Sequence, residues 1–256
     1  MGALFLIVGI GFLLGMRHAT DPDHVIAVTT IVARQRSYRH AMFVGAIWGV
    51  GHTATIFGVG SAIILFGVVI PPRIGLSMEL CVGLMLILLG VLNLTGITRW
   101  ITRRFTRDAL TAAAGSQSHS LGSFAPRPGD PASQTRVERT GNKLGLYQAL
   151  RPLLVGVVHG MAGSAAVALL VLAAIPKPAW GVVYLLIFGA GTIAGMTLIT
   201  AAIAVPCVRS FGRSARLNDA LALGSGLLSL AFGVFIAYRI GIVDGLFTRH
   251  PNWVPH

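Results

Sequence analysis

Four residues able to bind or move a cation fall within seven positions of an otherwise apolar stretch: His18, Asp21, Asp23 and His24. Two more histidines, His52 and His159, stand in other apolar stretches. A charged side chain at the centre of a membrane helix costs about 2.5–3.5 kcal/mol on insertion scales, so this concentration calls for internal pairing or a bound cation. Arg17, four residues before Asp21, offers the pairing alternative. Helical geometry favours the cation. At about 100° per residue His18, Asp21 and His24 share one face, while Asp23 points away. Pro22 changes that: it cannot donate to the His18 carbonyl, its ring clashes there, and it pushes Asp21 out of α geometry. The helix is expected to break, swinging Asp23 round and freeing carbonyl oxygens beside the imidazoles. A mixed nitrogen and oxygen cage suits borderline divalent ions such as nickel, cobalt or zinc. Cys81 and Cys207 form no CxxC pair, so neither a disulfide scaffold nor a thiolate site for monovalent copper is expected.

The elements that hold these residues are membrane helices. Of the 256 residues 54% are hydrophobic and only 11% charged, against about 25% charged in soluble domains. Six apolar passages run over 2–33, 41–70, 74–97, 152–175, 179–208 and 220–240, each near or above the ~20 residues that span a bilayer. The polar motif interrupts the first passage, which reads as one broken helix and not as a cleavable signal peptide. The fold class is thus an all-α integral membrane protein. Its domains are a three-helix repeat over 1–97, a basic linker over 98–150, a second three-helix repeat over 151–240 and a short tail over 241–256. Fifteen Arg and Lys residues lie in the loops 34–40, 98–151 and 209–219, against four on the opposite side. The positive-inside bias makes those loops cytoplasmic and leaves both termini and the tail outside. The net charge of +12 is therefore topological, and no nucleic-acid partner is expected. Rich in Ala, Gly, Ser and Pro, the stretch 108–142 is expected to be a disordered part of the linker.

The two sides of that linker look alike. Leu14-Gly15 through His18 matches Val155-Gly156 through His159 at an offset of 141. Gly45-Ala46 and Gly51 match Gly189-Ala190 and Gly195 at 144, and Gly83 and Gly90 match Gly226 and Gly233 at 143. Three passages per copy force the second copy in from the opposite side. That is the inverted-repeat plan of secondary transporters, with the substrate at the midplane on broken helices. His18 and His159 should then approach to within roughly 15 Å around one pocket that includes His52. An intramembrane zinc protease would need His-Glu-x-x-His, which is absent, as is a Walker A motif for ATP. The expectation is a transporter and no enzyme, with an exporter of metal or another small solute as the alternative.

The stretch Arg17-His18-Ala19-Thr20-Asp21-Pro22-Asp23-His24-Val25 resembles the signature of the nickel/cobalt transporter (NiCoT) family, Arg-His-Ala-x-Asp-Ala-Asp-His-Ile. Gly51-His52-Thr53 resembles that family's Gly-His-Ser/Thr motif. The stretch from Leu154 through His159 and Ser164 to Ala166 resembles the second-half motif of its shorter, urease-accessory-type relatives. The resemblance implies Ni2+ or Co2+ as cargo, carried across the cytoplasmic membrane and usually inward, with no prosthetic group. It implies His18, Asp21, Asp23, His24 and His52 as the metal-interacting residues, and the repeat adds His159 and Ser164 as a candidate second-half site or gate. Arg17 and Thr53 flank the ligands. Glu79, alone in the third passage, reads as a partner of a ligand, a proton carrier or an interface residue. Pro22 stands where the family has Ala, and six passages replace the eight of longer members.

Overall fold

The computed structural model describes residues 2–33, 37–96, 149–162, 177–210, 215–248 and 251–253. These form seven α-helices and no strand: α1 Gly2–His18, α2 Pro22–Val32, α3 Tyr38–Phe66, α4 Pro72–Thr95, α5 Ala149–Ala162, α6 Pro178–Ser210 and α7 Ala215–Tyr238. A π-helical turn, Arg239–Val243, continues α7. Proline opens α2, α4 and α6, where its missing N–H has no partner to lose. Helix α3 ends at Gly67, whose φ of +62° lets its N–H reach back to the Ile63 carbonyl at 3.0 Å.

The first passage is two helices, as Pro22 requires. Asp21 takes an extended backbone, φ −59° and ψ 144°, and α2 restarts at Pro22. The carbonyls at the break are not free, however. Arg17 O accepts from the Thr20 amide at 2.8 Å, and His18 O from the Asp21 amide at 3.1 Å. The chain turns tightly after His18, and in that turn these carbonyls accept amide hydrogens instead of standing free beside the imidazoles.

Helices α3, α4, α6 and α7 are each long and apolar enough to cross a membrane. Leu13, Leu65, Leu88, Leu198 and Leu227 point outward and stay exposed, an apolar exterior that suits lipid as solvent. The chain is a multi-pass membrane protein. The linker lies outside the described residues up to 148, as do the end of the fourth passage and Ser164.

Residues 2–94 and 152–253 build one compact unit. Within it α6 packs on α1, α2, α3 and α7, and α2 also packs on α7. Glycines set the closest approaches. Gly15 lies on the Phe188 carbonyl and Gly156 on the Trp48 carbonyl; Gly51 lies on the Leu153 carbonyl and Gly191 on that of Phe12. Gly83 faces Gly233, and Gly90 faces Gly226. Without a water-driven hydrophobic effect in lipid, such backbone contact and hydrogen bonds hold helices together. Asn93 supplies the latter, donating to Ala222 O at 2.9 Å and to Ser225 Oγ at 3.1 Å, while Ser229 donates to Leu86 O at 2.8 Å.

Candidate metal centre

The break between α1 and α2 delivers His18 from the end of one helix and Asp23 and His24 from the first turn of the next. Helix α3 brings His52 and α5 brings His159. Their rings form a single cluster. His24 sits at its middle, with its ring centre 4.8 Å from His18, 4.9 Å from His52 and 4.2 Å from His159. The approach of His18 and His159 thus falls well inside the expected ~15 Å.

Hydrogen bonds fix which nitrogens carry lone pairs. A carboxylate only accepts, so His18 Nδ1 donates to Asp21 Oδ2 at 2.8 Å and His24 Nδ1 donates to Asp23 Oδ1 at 3.0 Å. Both rings therefore present Nε2 as a donor atom for metal, the arrangement in which a carboxylate orients a ligating imidazole. His159 Nε2 donates to the other oxygen of Asp23, Oδ2, at 2.8 Å. His18 Nε2 and His52 Nε2 lie 3.0 Å apart. One shared proton accounts for that spacing, and so does one cation bound at about 2.1 Å to each nitrogen with a near right angle between them.

The cluster is under-satisfied. His24, His52 and His159 are buried, and among the described residues His24 Nε2, His52 Nδ1 and His159 Nδ1 have no hydrogen-bond partner. Buried polar atoms are normally paired, so three orphaned imidazole nitrogens in one cluster mark it as built for something other than packing. Asp21, with its side chain 45% exposed, forms the open end.

Ligand atoms of His18, His24 and His52 lie within 4.8 Å of one another, and so do those of Asp23, His24 and His159. Arg17 is not in the cluster: Asp21 pairs with His18 instead, and the Arg17 carbonyl is held by Thr20. Thr53 donates to the Gly189 carbonyl at 3.2 Å and so ties α3 to α6. Glu79 accepts from Trp253 Nε1 at 2.8 Å and belongs to the packing of the tail against α4. Sequence reasoning missed Trp48, which stacks on His24 at 5.8 Å and meets His159 edge-on at 5.6 Å. Its position one turn before His52 was the available signal.

No family model matches the chain. No solved structure matches it either. Over 248 residues it is 32% identical to the urease accessory protein UreH of Bacillus sp. (strain TB-90), covering 95% of this chain and 96% of the relative. Coverage that nearly complete spans both halves of the chain. This chain belongs to the NiCoT-type family that includes UreH.

Proposed function

We propose that this chain is a nickel permease, a secondary transporter that carries Ni2+, and Co2+ as a second cargo, inward across the cytoplasmic membrane. The observation that carries the reading is the pair of imidazole nitrogens 3.0 Å apart in a buried cluster that leaves further nitrogens unpaired. The relative's name supports the direction, because supplying nickel for a urease is an inward task. Inward movement also has a driving force: a doubly charged ion gains about 4.6 kcal/mol per 100 mV of inside-negative potential. The chain acts as a carrier and not as an enzyme.

His18, His24 and His52 act as nitrogen ligands, and Asp21 and Asp23 hold their rings in position. At this position the carboxylates orient the rings, whereas the sequence expectation has both of them bind the ion alongside the imidazoles. The protein supplies a buried nitrogen cage, and an ion enters between His18 and His52 as the His52 proton moves from Nε2 to Nδ1.

The reading includes six passages in two inverted repeats, basic loops in the cytoplasm and a linker over 98–150. The glycine contacts support the repeat because they exchange under it. Shifting Gly15 on Phe188 by 141 and 140 gives Gly156 and, in reverse, Trp48; Gly51 on Leu153 likewise becomes Gly191 on Phe12. Gly83 on Gly233 becomes Gly226 on Gly90 at 143. For α3 and α6 the contacts favour an offset of 140 over the 144 of the sequence alignment, a slip of one helical turn.

The test is uptake of radiolabelled Ni2+ into proteoliposomes with an inside-negative potential. The expected result is accumulation that requires the protein and is lost in His18→Ala. Uptake equal to that of empty vesicles, or unchanged in His18→Ala, would sink the reading.

A further inference from the structure

We infer that the cluster contains two overlapping ion positions sharing His24, and that transport hands the ion from His18, His24 and His52 to Asp23, His24 and His159. This rests on the nickel-permease reading and concerns the path inside it. The two nitrogens of an imidazole point in divergent directions, so they cannot both aim at one ion. His24 turns Nδ1 toward Asp23, which also holds His159, and leaves Nε2 buried without a partner on its other edge. Asp23 and His159 therefore cannot reach an ion held at His24 Nε2. They instead form a second group with His24, its ligand atoms within 4.8 Å, as compact as the first.

The groups differ in kind. The first is made of three imidazoles from the first half of the chain; the second adds a carboxylate and draws His159 from the second half. Asp23 Oδ2 and His159 Nε2 stand 2.8 Å apart across that join; for the ion to bind there the His159 proton moves to its Nδ1, and the His24 proton moves from Nδ1 to the Nε2 that the ion vacates. Among the described residues His159 Nδ1 is buried without a hydrogen-bond partner, and apart from Asp23 the ring meets the other imidazoles and Trp48. Conduction requires an ion to be bound firmly enough to enter and loosely enough to leave. Two adjacent positions with a shared ligand meet that need without a stage at which the ion is bare.

The experiment pairs nickel K-edge X-ray absorption on the full chain in lipid nanodiscs with uptake in proteoliposomes. His159→Gln keeps a donor for Asp23 but removes the ring nitrogen. It is expected to retain three imidazoles around bound nickel while uptake falls about tenfold or more. His52→Ala is expected to move the ion to the second position, seen as two imidazoles with carboxylate oxygen, and also to lose uptake. Normal uptake in His159→Gln would overturn the hand-over. So would loss of an imidazole from the nickel spectrum in that variant, since a single position would then include His159. If the unaltered chain binds no nickel, the permease reading falls and this inference with it; if it binds and carries nickel but the variants fail these tests, only the inference falls.

Discussion

The two halves of the chain meet the cluster in unequal ways: five of its residues come from the first half and one, His159, from the second. The difference lies in the backbone. His18 ends α1 and a break follows, so three successive turns of chain present His18, Asp21, Asp23 and His24 to one spot. His159 sits within α5, and the helix runs on through Ala162. An unbroken helix offers a point in space one side chain per turn. The proposed repeat sharpens the contrast, since at an offset of 140 the counterpart of His52 is Thr192, which donates to Phe188 O of its own helix at 3.0 Å. One half is a cage, the other a single arm.

The largest effect should separate those counterparts. His52→Ala is expected to cut nickel uptake by about a hundredfold, whereas Thr192→Ala leaves it nearly unchanged; equal losses would mean that the second half holds a ligand set of its own.

A smaller effect tests where the halves are alike. Gly15→Ala and Gly156→Ala each place a methyl against a backbone carbonyl of the partner helix, and each is expected to lower stability by about 1–3 kcal/mol. Gly58→Ala and Gly224→Ala, with open space around the new carbon, should not. Unequal losses at Gly15 and Gly156 in a thermal-shift series would break the repeat at its most reciprocal contact. The smallest effect is expected from deleting 110–140, which should leave uptake largely intact; complete loss from a correctly inserted deletion would make the linker a gate or sensor.

The break was legible because its causes are local: a proline, and a residue before it that sterics push into extended geometry. The cluster was legible because lipid makes isolated His and Asp side chains costly. What escaped detection depends on partners distant in sequence. Thr20 and Asp21 occupying the break carbonyls is a matter of turn geometry after His18. In the proposed repeat the offset between α3 and α6 differs by one turn from the one read in the sequence, where glycines recur at several nearby positions; contacts such as those with Leu153 and Phe12 favour one of them. Glu79 had three readings, as a partner of a ligand, a proton carrier or an interface residue, and its contact with Trp253, 174 residues away, depends on the fold.

Trp48 gives the site an optical consequence. Its indole is buried against the rings of His24 and His159, so under the proposed reading an ion bound by those imidazoles would change its emission. Nickel and cobalt ions carry unpaired electrons and quench a nearby excited indole, whereas closed-shell zinc does not. The remaining tryptophans, Trp100, Trp180 and Trp253, can be replaced by Phe, leaving a chain whose intrinsic fluorescence dims when a quenching ion arrives and recovers when it leaves. In rapid mixing, that dimming would time the ion's stay beside the indole, and each passage through the protein would be recorded without any label.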